Sequence, residues 1–111
     1  MYNVKITDIA EQDITSTVQY IASSLKAPKA ANSLLDEIEK HEKILAKTPN
    51  IYPYVSDEYL AEMGVKFVLI KNYMMFFIIE ENKKIVNVFR FLHGRRDWQS
   101  ILRDTGARNV L

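Results

Sequence analysis

The sequence predicts an α+β domain: an N-terminal strand, an antiparallel two-helix hairpin, a three-stranded antiparallel meander and a short C-terminal helix, with the hairpin packed on one face of the sheet. Three observations carry this expectation. The first residues alternate apolar and polar, the next two stretches repeat their apolar residues every three or four positions, and three strand-like runs follow with only short turns between them. A chain of 111 residues suits one hydrophobic core rather than two. Residues 1–111 are therefore read as a single domain, with about 104–111 as a tail.

Tyr2 to Thr7 places Tyr2, Val4 and Ile6 on one side, the period of a short half-buried strand. Asp8 then reads as a helix N-cap, because Glu11 can return the hydrogen bond as in a capping box. Ile14, Val18, Ile21 and Leu25 form one apolar stripe on a helix from about 9 to 25. Ala27-Pro28 restarts the helical pattern, since proline is tolerated in a first turn. The second helix should bury Ala31, Leu34, Leu35, Ile38 and Leu45, support its wet face with the pairs Asp36–Lys40 and Glu39–Lys43, and end near Thr48-Pro49.

Pro49 to Gly64, with Tyr52, Tyr54 and Tyr59, is an irregular stretch with room for one helical turn. The runs VKFVLIK, NYMMFFIIEE and KKIVNVFRFLH then read as three antiparallel strands separated by turns at Lys71-Asn72 and Glu81-Asn82. The middle strand is unbroken apolar from Met74 to Ile79, as expected of a strand covered on both faces. Asp97 can cap a short helix carrying Trp98, Ile101 and Leu102, and Thr105 to Leu111 reads as a frayed end.

Composition removes several chemistries. The absence of cysteine excludes disulfides, thiolate catalysis and the usual structural zinc sites, and two histidines, His41 and His93, are too few for a histidine-rich metal centre. Three glycines without a phosphate-cradling arrangement leave no nucleotide fold, so neither metal nor cofactor is expected. No run approaches the length of a membrane span and no apolar leader is evident, so the expected compartment is the cytoplasm. The net charge of +1 hides an asymmetry: residues 1–81 hold eight Lys or Arg against twelve Asp or Glu, and residues 82–111 hold seven against two. A basic C-terminal region of this kind focuses an anion or an acidic partner.

The segment VNVFRFLHGRRDW concentrates the candidate site. Arg90 shares a face with Val88 and Leu92 by the two-residue period; it is either a contact residue or the partner of a carboxylate such as Glu80. His93, Arg95 and Arg96 cluster at the strand's exit, where an imidazole can pass a proton and guanidinium groups can hold a phosphate. RNA cleavage needs no more, because the ribose 2′-hydroxyl is the nucleophile. The alternative is a solvated turn or a grip on a protein. Lys66 and Lys71 either extend a basic groove or are simply solvated on the open face of the sheet. Tyr52, Tyr54, Tyr59 and Tyr73 either stack on bases or seal the core's edge.

The N-terminal YNVKITDIAEQDITSTVQYI, the helical hairpin, the pair VKFVLIKNYMMFFIIEE and above all IVNVFRFLHGRRDW resemble the RelE/ParE superfamily of toxins from bacterial type II toxin–antitoxin modules, from about Tyr2 to Leu102. The resemblance implies a stable toxin, of a kind associated with plasmid stabilization, held inactive by a cognate antitoxin through which alone it meets DNA. RelE-like members are mRNA interferases that cut in the ribosome, whereas ParE-like members inhibit DNA gyrase. The RNA-cleaving members tend to carry an arginine directly after the aromatic residue that opens the middle strand; here Met74 follows Tyr73. They are also strongly basic, and this chain is nearly neutral. Both departures favour the ParE-like side, with Lys66, Tyr73, Arg90, Arg95, Arg96 and Trp98 as residues binding target or antitoxin. The alternatives are a metal-free, ribosome-dependent endoribonuclease using His93, Arg95 and Arg96, and an inactive relative that only binds antitoxin.

Overall fold

The computed structural model describes residues 1–106. Strand β1 (Asn3–Ile6) leads into α1 (Asp8–Gln19), which runs on through a π-helical turn at Tyr20–Ser24. Helix α2 (Pro28–Lys47), a 3₁₀ turn at Pro49–Ile51 and the short α3 (Glu58–Glu62) precede β2 (Lys66–Ile70), β3 (Tyr73–Glu80) and β4 (Ile85–His93). Helix α4 (Trp98–Ile101) continues as a π-helical turn at Leu102–Gly106, which covers the first residues of the expected tail; 107–111 lie outside the described residues. The sheet has the order β1-β4-β3-β2, with β1 parallel to β4 and the other pairs antiparallel.

Strand β3 separates two apolar layers. Met75 and Phe77 join Val68, Val86, Val88 and Phe91 beneath Ile14, Ile21, Leu34 and Ile38 of the helical hairpin. Met74, Phe76 and Ile78 face the other way, against Leu60, Phe89, Leu92, Trp98 and Leu102. The continuous apolar run of β3 thus follows from burial on both faces, as expected, with α3 and α4 supplying the second cover.

Several local expectations are corrected. The N-cap of α1 is Thr7, not Asp8: the Ala10 N–H donates to Thr7 Oγ1, leaving Asp8 in the first turn beside the positive end of the helix. Leu25 is exposed because the Leu25 N–H reaches back five residues to the Tyr20 carbonyl, widening the helix and turning the stripe away from the core. Leu35 lies beside the α2 stripe and is 40% exposed. Neither Asp36–Lys40 nor Glu39–Lys43 closes; on α2 it is Glu37 that approaches His41, at 3.8 Å.

The sheet's β1 edge shows how α1 is seated. Strand β1 pairs with β4 only from Ile85 to Val88. Beyond it, the Thr7 N–H donates to the Val88 carbonyl at 3.0 Å and Thr7 Oγ1 donates to the Phe89 carbonyl at 3.3 Å. Further along α1, Asp13 Oδ2 accepts from the Phe91 N–H at 3.0 Å. The side chains of Thr7, the cap of α1, and of Asp13 on it therefore satisfy backbone groups for which β1 is too short.

Candidate binding corner at the exit of β4

The corner is built from the turn that ends β4. The Gly94 N–H donates to the Asn72 carbonyl at 2.8 Å, tying this turn to the β2–β3 turn; a Cβ on Gly94 would lie 3.4 Å from the same oxygen. The Arg96 N–H donates to the His93 carbonyl, the Trp98 N–H to the Arg96 carbonyl, and Asp97 Oδ1 caps α4 by accepting from the Ser100 N–H. Trp98 then sinks to 7% exposure and packs on Phe76, ring centroids 5.3 Å apart. The turn is thus held by backbone bonds on one side and a buried indole on the other.

On this base Arg95 and Arg96 are exposed, and among the described residues no carboxylate lies within 4 Å of either guanidinium. Tyr73 stacks on Phe91 with centroids 5.2 Å apart and meets His93 edge-on at 5.1 Å. His93 Nδ1 accepts from the Arg95 N–H at 3.1 Å, so the neutral ring carries its proton on Nε2. Its one ring lone pair is already occupied by the turn, whereas a general base must offer a free one to substrate. The arrangement presents two cations, one ring N–H donor and an aromatic wall.

The structure does not bring all the expected site residues to this corner. Tyr73, His93, Arg95 and Arg96 are together, but Arg90 is not free: its Nε and Nη2 donate to Asp13 Oδ2 and Oδ1 at 2.8 and 3.0 Å, with both side chains about 15% exposed. Nor does Arg90 share a face with both Val88 and Leu92. A bulge between the pairs Phe76–Arg90 and Phe77–Val88 breaks the alternation and sends Val88 and Leu92 into opposite layers. Glu80, at the far end of β3, instead accepts from Asn87 and pairs with Lys83.

Lys66 is 7% exposed rather than solvated, its ammonium donating to the Tyr52 carbonyl at 2.7 Å and lying 4.0 Å over the Tyr54 ring. Burial pushes its pKa below the usual lysine value. Lys71 bonds Ser33 Oγ at 2.8 Å, and Trp98 is an anchor of the turn rather than a surface contact. Tyr52 seals the core, hydrogen-bonded to His41 at 2.9 Å and edge-on to Phe77. Met74, in the position where an arginine marks the RNA-cleaving relatives, is buried against Gly94 and Leu92. Asp13 went unremarked in the sequence, and no local signal marks it, because its partner lies 77 residues away.

The sequence model of one family, the ParE toxin of the parDE type II toxin–antitoxin system, matches residues 4–98. No curated protein matches the sequence. Among solved structures, the chromosomal ParDE toxin–antitoxin system from P. aeruginosa matches with a TM-score of 0.66 at 19% identity, over 84% of this chain and 96% of that one. The toxin–antitoxin complex RelBE2 from Mycobacterium tuberculosis matches with a TM-score of 0.58 at 17% identity, over 83% and 96%. These two likenesses carry the fold, and the family match carries more: reaching from β1 to the first residue of α4, it shows that the chain belongs to the ParE toxin family of type II toxin–antitoxin systems.

Proposed function

We propose that this toxin arrests growth by gripping a protein target, DNA gyrase, through the exit corner of β4, and that a cognate antitoxin relieves the arrest. The observation that carries this reading is the state of the corner itself. Arg95 and Arg96 are exposed, and among the described residues without counter-ions, on a turn fixed at both ends, which suits recognition of a negatively charged surface. Acid–base chemistry is poorly served there, because His93 spends its lone pair on the Arg95 N–H and the neighbouring position after Tyr73 is a buried methionine. The structural neighbours are toxin–antitoxin systems by name, which supports an antitoxin as the resident partner. A gyrase target places the toxin's action in the cytoplasm.

Brief expression of the toxin tests this. Trapped gyrase–DNA complexes and a DNA-damage response are expected, with mRNA 5′ ends unchanged. Codon-linked cuts in ribosome-bound mRNA would instead assign the corner to ribonuclease chemistry, and the absence of any growth arrest would mark a relative that only binds antitoxin.

A further inference from the structure

At the opposite end of the sheet from Arg95, Lys66 lines a half-open hollow of about 200 Å³ together with Asn50, Tyr54, Gly64, Ile79 and Glu81. An ammonium buried to this degree ordinarily has a carboxylate beside it. Lys66 has none: among the described residues no carboxylate comes within 4 Å of its Nζ, and its contacts are one carbonyl and one aromatic face. An ammonium has three N–H groups, of which the Tyr52 carbonyl takes one.

Glu81, on the hollow's wall, does not fill the vacancy. Its carboxylate accepts from the Tyr2 hydroxyl at 2.7 and 3.0 Å and from Lys84 Nζ at 2.7 Å. Those contacts hold Glu81 below the ordinary carboxylate range, with the Lys84 hydrogen bond the largest cause, so it stays ionised and locally neutralised. Asn50 Nδ2 is likewise turned towards the Tyr2 hydroxyl, at 3.4 Å, which leaves its carbonyl oxygen as an acceptor. With Glu81 matched by Lys84, the Lys66 charge is left without a carboxylate among the described residues.

We propose that the hollow over Lys66 is a carboxylate-binding site, in which one carboxylate group supplies the counter-ion that the Lys66 ammonium lacks. The volume admits a group of a few non-hydrogen atoms, the size of acetate or of an aspartate side chain. The wall adds apolar surface beside the charge, since Tyr54 lines the hollow and is 56% exposed. Two sources share this chemistry: a free small carboxylate, and an acidic side chain of the antitoxin. The site is separate from the β4 corner, so it stands whether or not gyrase is the target.

Titration of the purified, ¹⁵N-labelled full-length toxin with sodium acetate, at constant ionic strength against sodium chloride, tests the site. Saturable amide shifts are expected at Gly64 and Lys66, with half-saturation on the order of 1–10 mM for a single charge-assisted contact. They should vanish in Lys66→Met, which keeps the length of the side chain, and methylammonium chloride should not reproduce them. No saturable shift in the wild-type toxin overturns the proposal, as does an unchanged shift in a folded Lys66→Met variant. Should that variant fail to fold, the wild-type titration and its methylammonium control decide alone. The same titration on the toxin–antitoxin complex separates the sources. Loss of acetate binding there, with Lys66→Met weakening the antitoxin at least tenfold, identifies an antitoxin side chain, while undiminished acetate binding identifies a free carboxylate.

Discussion

Asp13 and Arg90 meet in a two-point contact, 2.8 and 3.0 Å, and the same Asp13 oxygen that takes the guanidinium Nε also accepts the Phe91 N–H at 3.0 Å. One carboxylate thus satisfies a half-buried cation and a strand-edge amide together. Asp13→Ala should cost about 3 kcal/mol in urea unfolding, because it strands both groups. Asp13→Asn, which keeps an acceptor for Phe91, should cost visibly less. A double-mutant cycle with Arg90→Met should give a coupling of at least about 1 kcal/mol; additive losses would mean that the pair contributes nothing as a pair.

Thr7 has two duties at one oxygen, donating to the Phe89 carbonyl and accepting from the Ala10 N–H. Thr7→Ala is expected to lower stability by roughly 1–2 kcal/mol, and Thr7→Ser by much less, since the cap survives. Asp8→Ala should be the milder change at the start of α1, removing only a favourable charge near the helix N-terminus, worth about 0.3–1 kcal/mol. Equal losses at the two positions would contradict the assignment of Thr7 as the cap.

These two contacts also show where sequence reasoning reaches and where it stops. The elements were legible because their signals are local: the strand alternation of Tyr2 to Thr7, the stripe Ala31, Leu34 and Ile38, and the apolar run of β3 all follow from the period of the chain. Pairings made across the fold left no such trace. Asp13 and Arg90 are 77 residues apart, the bulge that turns Val88 and Leu92 to opposite layers is a property of two strands in register, and the burial of Lys66 depends on the Tyr52 and Tyr54 segment folding over it. The cluster of His93, Arg95 and Arg96 was legible because it lies within one turn, but the commitment of the His93 lone pair to the Arg95 N–H was not.

Glu42 on α2 gives a pH signature. Its pKa is raised, first by burial and then by the nearby charges of Glu11 and Glu39. A carboxyl group whose pKa is raised on folding destabilises the native state when ionised, so the penalty is present above the folded-state pKa and disappears as pH falls below the unfolded value. Glu42→Gln should therefore stabilise the protein at pH 7, by less than about 1 kcal/mol given its partial exposure and solvent screening. At pH 3.5 the gain should be gone. A benefit that is independent of pH would assign the effect to packing.

His93→Gln separates binding from catalysis. If the toxin acts by gripping its target, proton transfer is irrelevant, and this variant should keep growth arrest within about threefold of wild type, a change in binding of under about 1 kcal/mol. A ribonuclease that relies on this imidazole would lose at least about a hundredfold in cleavage rate, the usual contribution of a general acid or base. Toxicity scored by viable counts after induction distinguishes the two outcomes.

The most direct measurement is gyrase supercoiling by the purified components, with wild-type toxin compared against the Arg95→Ala/Arg96→Ala double variant. Both side chains are exposed and, among the described residues, free of ion pairs, so the variant should fold with unchanged stability. The wild-type toxin should inhibit supercoiling and trap cleaved DNA, and the double variant should require at least tenfold more protein, or about 1.4 kcal/mol, for the same effect. Full potency in the variant, or a wild-type toxin that leaves gyrase untouched while cutting ribosome-bound mRNA, would contradict the account.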